Sequence, residues 1–343
     1  MEQVYTPKQN YKVLVNCMTY NQSKYIEDAL NGFAMQKTDF PFACLVMDDA
    51  STDGEQEVIK AWMERECDVA KAENVEIEKS FITLVPHKTN SSCTFAFYFL
   101  KENLYKKGGK MPMIAPWREH CEYEALCEGD DYWINENKLQ TQIVFLDNNP
   151  EYTMCFHNAV VHWEDASEED HLMSNLSESD YNGVEIYRKW IVPTASVVLR
   201  SKVRDSELYK KVTSNKKFVF GDTPLFVTCA ELGKVRGFAN SMSIYRRVAG
   251  SATYRQSDNY DKIKARSYHY LEFRNVFGPR YKKEAEMDFI ADGLYCFTHS
   301  IRSHKDKIQW WGLVIPLKTN IWWTLICSLE MAIAHMRREK KTL

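Results

Sequence analysis

Apolar residues along the first 150 positions follow two rhythms that succeed one another. YKVLVNCMTYN opens as a β-rich run, Val13 to Val15, and ends at Tyr20-Asn21. In SKYIEDALNGFAMQ, residues Tyr25, Ile26, Ala29, Leu30 and Phe33 recur at the spacing of one helix face, with Ser23 available as N-cap. The order then repeats. Phe42 to Met47 is a continuous apolar strand of the type buried on both faces, and the helix after it carries Val58, Ile59 and Trp62. Strands alternating with helices predict an α/β fold, a mostly parallel, doubly wound sheet with helices on both faces.

Further along, SFITLVP (80–86) reads as a third strand, FAFYFLKENLY as helix and KKGGKMPMIAPW as loop. Tyr123 to Cys127 supplies another strand and Lys138 to Leu146 a helix. TASVVLRSKV reads as a strand followed by polar helix, and FGDTPLFVTCAELG as a loop entering a helix that stops at Gly233. From about residue 255 the pattern is helical throughout. The expected organisation is therefore a main domain over 1–255, with parts at about 1–150 and 151–255, and a helical C-terminal region over 256–343. No internal repeat is visible.

Composition narrows the class. The 343 residues are 45% hydrophobic and 27% charged, ordinary for a soluble globular chain. The formal charge of -3, with 44 basic against 47 acidic residues, and the lack of any basic stretch interleaved with aromatics disfavour a nucleic-acid-binding surface. Ten scattered cysteines without a CxxC pair suit a reducing, cytoplasmic setting. The N-terminus lacks a secretory signal, and no run of about 18 uncharged apolar residues reads as a membrane span.

In an open parallel sheet, ligands bind outside the carboxyl ends of the strands. Acids stand at two such ends here: Asp48-Asp49 after the second strand, and Glu128, Asp130 and Asp131 in CEGDDYW after the later one. Acids this close repel one another unless solvent or a cation relieves them. DDASTDG by itself could also be a helix N-cap with charge favourably placed at the dipole. Other motifs fail on spacing. There is no G-x-G-x-x-G after the first strand, KKGGKM is no P-loop, and the adjacent acids of MDDAST do not suit an aspartyl-phosphate phosphatase. His87, His120, His157 and His162 lack zinc-site spacing.

VLVNCMTYNQSKYIEDALNGFAMQ, CLVMDDASTDG and ALCEGDDYW together resemble the successive motifs of family 2 glycosyltransferases, which have the glycosyltransferase-A fold. The Glu-Gly-Asp-Asp-Tyr-Trp form is similar to a bacterial branch that builds surface polysaccharides. The resemblance implies a pocket for the nucleotide base lined by Thr19, Tyr20 and Asn21, with Asp49 contacting the base and Asp48 beside it. It places Asp130 and Asp131 on the family's metal motif, whose acids hold Mn²⁺ or Mg²⁺ against the donor diphosphate and contact its ribose. The first acid of that motif is commonly Asp and here is Glu128, which keeps the charge and alters the ligand geometry. The catalytic base would be Asp222, in Gly221-Asp222 of FVFGDTPLF, otherwise a plain helix N-cap. Arg246 or Arg247 of SMSIYRRVAGSAT would meet the diphosphate, although the His that often follows is missing and exposed salt-bridging arginines are commoner. Trp133 would pack on an acceptor sugar or belong to the core.

The implied activity is an inverting, metal-dependent transfer from a nucleotide-sugar donor to a glycan or lipid-linked acceptor in polysaccharide synthesis. Two rivals remain: a non-catalytic sugar-nucleotide-binding scaffold, and a nucleotidyltransferase, whose glycine- and lysine-rich phosphate loop is absent from CMTYNQSK. Within 321–336, Trp322, Leu325, Ile326, Leu329, Ile333 and Met336 share one helix face ahead of RREKK. With Trp310, Trp311 and Trp323, residues 306–343 would suit peripheral contact with the inner face of the cytoplasmic membrane, or would pack on the catalytic domain.

Overall fold

Side chains that alternate between the two faces of the early strands set up two helix layers. Val13, Val15, Phe42, Cys44 and Val46 point to one side of the sheet, where they meet Ile26, Leu30, Phe33, Ile59 and Trp62. Leu14, Ala43, Leu45 and Met47 point to the other side, toward Met113, Ile114 and Trp117. Side chains alternate across a strand, so a run apolar at every position needs cover on both faces. The structure is a computed structural model that describes residues 4–105, 107, 109–189, 191–248 and 260–295.

In chain order the elements are β1 (Tyr11–Thr19), α1 (Ile26–Ala34), β2 (Phe42–Asp48), α2 (Glu55–Glu66), β3 (Glu73–Glu76), β4 (Ser80–Pro86), β5 (Cys93–Leu100), α3 (Lys110–Glu119), β6 (Cys121–Leu126), β7 (Tyr132–Trp133) and α4 (Lys138–Asn148). They continue with β8 (Tyr152–Trp163), β9 (His171–Leu172), β10 (Ser179–Asp180), α5 (Gly183–Lys189), β11 (Val198–Arg200), α6 (Glu207–Ser214), α7 (Asp222–Leu232), β12 (Lys234–Arg247), α8 (Tyr260–Phe277) and α9 (Lys282–Tyr295). The sheet runs β10-β12-β8-β11-β6-β1-β2-β5-β4-β3, with β7 added to β12 and β9 to β8. Its centre, β6-β1-β2-β5, is parallel. The flanks are antiparallel at β4 and β3 on one side and at β11 on the other, and β12 returns parallel to β8.

Three local expectations are corrected. FAFYFLKENLY is strand β5 over most of its length, because Phe95, Phe97 and Phe99 stack on the Trp62 side while Ala96, Tyr98 and Leu100 fill the opposite face. KMPMIAPWRE is helix α3, despite Pro116, because burying Met113, Ile114 and Trp117 outweighs the poor local propensity. Ser23 does not cap α1. Tyr25 occupies that position without a side-chain bond, and the Ser23 N–H donates to Asp53 Oδ2 at 2.9 Å.

The chain divides into two compact units, Met1–Ser206 with Thr228–Ala249, and Glu207–Val227 with Gly250–Leu343. The expected boundary near 255 and the amphipathic stretch 306–343 lie outside the described residues. Within the second unit, Phe218 meets His269 and Phe273 edge-on at 5.3 and 5.4 Å. Glu272 there accepts from Asn215 Nδ2 at 2.8 Å and Lys217 Nζ at 3.0 Å. Among the described residues, no helix is long and apolar enough to cross a membrane. The eight described cysteines are all free and buried.

Beneath β6 of the first unit lies a buried ion cluster. Glu124 Oε1 accepts from Asn16 Nδ2 at 2.7 Å and Arg118 Nη2 at 2.9 Å, and Oε2 accepts from Arg204 Nε at 2.8 Å. Burial pushes the Glu124 carboxyl up, but Arg204 and Arg118 outweigh it and hold the group down at about 2. We expect Glu124→Ala, which strands two arginines, to cost about 3–5 kcal/mol in urea unfolding at neutral pH. The folded value lies below the ordinary 4.5, so the cluster's contribution is complete above that value and fades as pH falls toward 2. The Ala variant should therefore lose part of the wild type's acid sensitivity in that window.

Candidate active site

Three loops leave the carboxyl ends of the adjacent parallel strands β1, β2 and β6 and meet at one rim. Thr19 pairs in register with Asp48, and the Asp49 N–H donates to Thr19 O at 3.0 Å. Asn21, in the left-handed region at φ 55°, donates its N–H to Ser51 Oγ at 2.9 Å and accepts from the Thr52 N–H at 2.8 Å. Asn tolerates that backbone region better than most residues, which suits it to this turn. From β6, the Gly129 N–H reaches Met18 O at 3.1 Å. A Cβ on Gly129 would overlap Thr19 Oγ1 and Gln22 Oε1, so this approach requires glycine.

The acids differ in setting. Asp48 is buried, accepts from the Ser51 N–H at 3.2 Å and Gln56 Nε2 at 2.5 Å through Oδ1, and leaves Oδ2 without a hydrogen-bond partner. Asp49 is bonded at both oxygens, by the Leu104 N–H at 2.7 Å and by Lys110 Nζ at 2.5 Å. Glu128 is exposed, Asp130 half-buried and Asp131 buried. Asp131 Oδ1 accepts from the Arg246 N–H at 2.9 Å, whereas Oδ2 is buried without a hydrogen-bond partner. Burial, then the charges of Asp130 and Glu128, push the Asp131 carboxyl well above the usual range. Burial also raises Asp130, against the opposing charge of Arg246.

Arg246 stands at the end of β12, a long strand that sequence reading missed. Its Nε donates to Asp130 O at 2.8 Å, Nη2 to Asp28 Oδ2 at 2.7 Å and Nη1 to Glu164 Oε1, with Tyr25 and Tyr132 rings each 4.8 Å away. Every nitrogen of the guanidinium is thus engaged, and the residue braces the acidic turn. Arg247, next along the strand, lies over Tyr245 at 4.9 Å and Trp163 at 5.9 Å. Trp133 is a core residue: its Nε1 donates to Ala195 O at 2.8 Å, and it meets Phe33 edge-on at 4.9 Å. Tyr20 is 45% exposed, which leaves its ring available to a ligand.

The rim therefore gathers Thr19, Tyr20, Asn21, Asp48, Asp49, Glu128, Asp130, Asp131 and Arg246. Asp222 opens α7 in the second unit, half-buried, where the Leu225 N–H reaches Gly221 O at 3.3 Å. Sequence reading passed over Gln22, Glu55, Asp28, Glu164 and Lys110, which sit in ordinary loop or helix positions and acquire partners only through the fold. Among the described residues, no three His, Cys, Asp or Glu side chains form a preformed ion cage. Asp131 Oδ2, an orphaned buried carboxylate oxygen beside two further acids, nonetheless fits a hard divalent cation that completes its shell with ligand oxygens.

Residues 17–80 match the family model described as Glycosyl transferase family 2. That segment is similar to the family, and the chain has the glycosyltransferase-A fold. It is 31% identical over 232 residues to the uncharacterized protein Rv1520 of Mycobacterium tuberculosis, and equally to Mb1547 of Mycobacterium bovis, over 68% of this chain. The chain spans 58% of the length of these relatives. Residues 1–349 of S. aureus TarS, solved with UDP-GlcNAc, share the fold at a TM-score of 0.55 and 15% identity, over 87% of this chain and 78% of that one. The same region with UDP gives a TM-score of 0.52 at 15% identity, over 87% and 78%.

Adding a methyl group at residue 129 tests how the loops are seated. Gly129→Ala should force the turn away from Thr19 and Gln22 and cost about 1–3 kcal/mol of stability. Denaturant unfolding measures it, and an unchanged midpoint would show that the loops give way freely.

Proposed function

We propose that this protein is an inverting glycosyltransferase that moves a sugar from a nucleotide-sugar donor to a glycan or lipid-linked acceptor, in the assembly of a bacterial surface polysaccharide. The observation that carries the reading is the rim itself: acids from the ends of two parallel strands, each loop bonded to the end of β1, with a buried carboxylate oxygen at Asp131 lacking a protein partner. The polysaccharide role rests on the Glu-Gly-Asp-Asp-Tyr-Trp form alone.

Thr19, Tyr20 and Asn21 line the base pocket, where the exposed Tyr20 ring offers a stacking face and Asp49 a hydrogen-bond acceptor. Asp48 Oδ2 lies beside them, buried and unpartnered. Asp130 and Asp131, with Glu128 at the edge, would hold Mn²⁺ or Mg²⁺ and orient the donor diphosphate and ribose. When bound, that cation supplies Lewis-acid stabilisation of the charge on the departing diphosphate. Arg246 acts indirectly, keeping the Asp130-Asp131 turn in place. Asp222 accepts the proton of the acceptor hydroxyl as its oxygen bonds to the sugar C1 and the C1–phosphate oxygen bond breaks from the opposite face. Peripheral membrane contact through residues 306–343 would bring the enzyme to a lipid-linked acceptor.

Two substitutions separate donor binding from transfer. Asp131→Asn should abolish Mn²⁺-dependent binding of nucleoside diphosphates in calorimetry while circular dichroism stays native. Asp222→Asn should bind the donor like wild type and lose transfer by about 10²–10⁴-fold. A fully active Asp222→Asn removes that residue from the mechanism. Absence of nucleotide binding by the wild type would turn the reading toward a fold whose donor site is lost.

A further inference from the structure

The chain reaches Asp222 through residues 215–221, a segment of turn and irregular backbone between α6 and α7. Val219 and Phe220 are 46% and 41% exposed, so no apolar core encloses its end. Such a segment fixes an acid in place only if something outside it holds the backbone.

One face of α8 does this. His269, Glu272 and Phe273 stand at i, i+3 and i+4 and so project together. Glu272 takes the start of the segment through Asn215 and Lys217, and Phe273 takes Phe218. His269 takes its end. The Val219 N–H donates to His269 Nδ1 at 3.3 Å, and the Phe218 and Phe220 rings stand edge-on to the imidazole at 5.3 and 5.2 Å. Three successive residues thus clasp one side chain. Gly221, next along, is already tied into the first turn of α7, its carbonyl oxygen 3.3 Å from the Leu225 nitrogen. The imidazole therefore holds the backbone within three residues of Asp222.

Only a neutral ring can do so. An accepting Nδ1 places the ring proton on Nε2. His269 is buried, and burial lowers its imidazole to about 4, so the lone pair stays available at neutral pH. A phenylalanine here would keep the edge-on ring contacts, and the hydrogen bond is what histidine adds.

We infer that His269 is a positioning residue for sugar transfer, whose Nδ1 holds the Val219 backbone and through it seats Asp222 at the start of α7. The inference rests on the proposed role of Asp222 as base. It ties transfer to a helix that lies beyond every motif of the sequence.

The test compares wild type, His269→Phe, His269→Asn, Asp222→Asn and the Asp222→Asn/His269→Phe double variant in two measurements. Hydrogen exchange read by mass spectrometry follows the amides of 218–222, and release of nucleoside diphosphate from UDP-GlcNAc or GDP-mannose with Mn²⁺ follows turnover. His269→Phe removes the acceptor and keeps a ring, and should raise exchange and lower kcat about fivefold each, with the donor KM unchanged. His269→Asn returns an acceptor oxygen near the Nδ1 position and should recover both to within about twofold of wild type. The double variant should be no slower than Asp222→Asn alone, because His269 acts through Asp222, whereas a merely structural role multiplies the two losses. Wild-type exchange or wild-type turnover in His269→Phe, a His269→Asn variant as impaired as His269→Phe, or losses that multiply would each overturn the inference. Should His269→Phe fail to fold, Phe220→Leu, at an exposed position, opens one side of the clasp and should raise the same exchange about threefold. Unchanged exchange there overturns the anchor. A fully active Asp222→Asn sinks the proposed base, while an inactive Asp222→Asn beside a fully active His269→Phe sinks the anchor alone. If wild type releases neither nucleotide, exchange in His269→Phe decides: faster exchange supports the anchor and unchanged exchange overturns it.

Discussion

Mutual repulsion of carboxylates at the carboxyl ends of the parallel strands is the constraint around which the rest of this protein is arranged. Asp131 is buried beside Asp130 and Glu128, with one oxygen bonded to the Arg246 N–H and the other without a hydrogen-bond partner. A fold meets such crowding with opposite charge, hydrogen bonds or a bound cation. Arg246 supplies the first two. One guanidinium ties the turn's carbonyl to Asp28 of α1 and to Glu164 just beyond β8, and two tyrosine rings flank it.

The same residues can serve stability or function, and geometry distinguishes which. Glu124 is as buried as Asp131, yet its oxygens are fully matched by Arg118, Arg204 and Asn16, and its carboxyl is held low. Asp131 is left half-matched and pushed high. A saturated buried acid belongs to the scaffold, whereas an unsaturated one at a strand end marks where a ligand can contribute. Glu55 is a third case, an acid bonded entirely to hydroxyl and amide groups and joined by them to the rim.

The sheet's parallel centre was legible in the sequence because both faces of β1 and β2 are covered, so their apolar runs are continuous. The acids of the rim were legible for a related reason, since charge following directly on a buried strand has few structural explanations. β5 was not legible. Its aromatic run packs on both faces, and a short apolar segment of that kind carries no period that separates strand from helix. β12 was missed because Ala239 and Asn240 are exposed and interrupt its pattern, and its partner β8 lies some eighty residues earlier in the chain.

The chain by itself determined which residues carry charge and in what order they follow buried strands, because hydrophobic period and motif spacing are local properties. Tertiary structure alone decided what each charge does. It spent Arg246 on bracing, placed Trp133 in the core, bonded Lys110 to Asp49 and bonded Glu55 to Thr19, Gln22 and Ser51. These assignments depend on contacts between loops tens to hundreds of residues apart, and a carboxylate's burial and partners are fixed only when those loops meet.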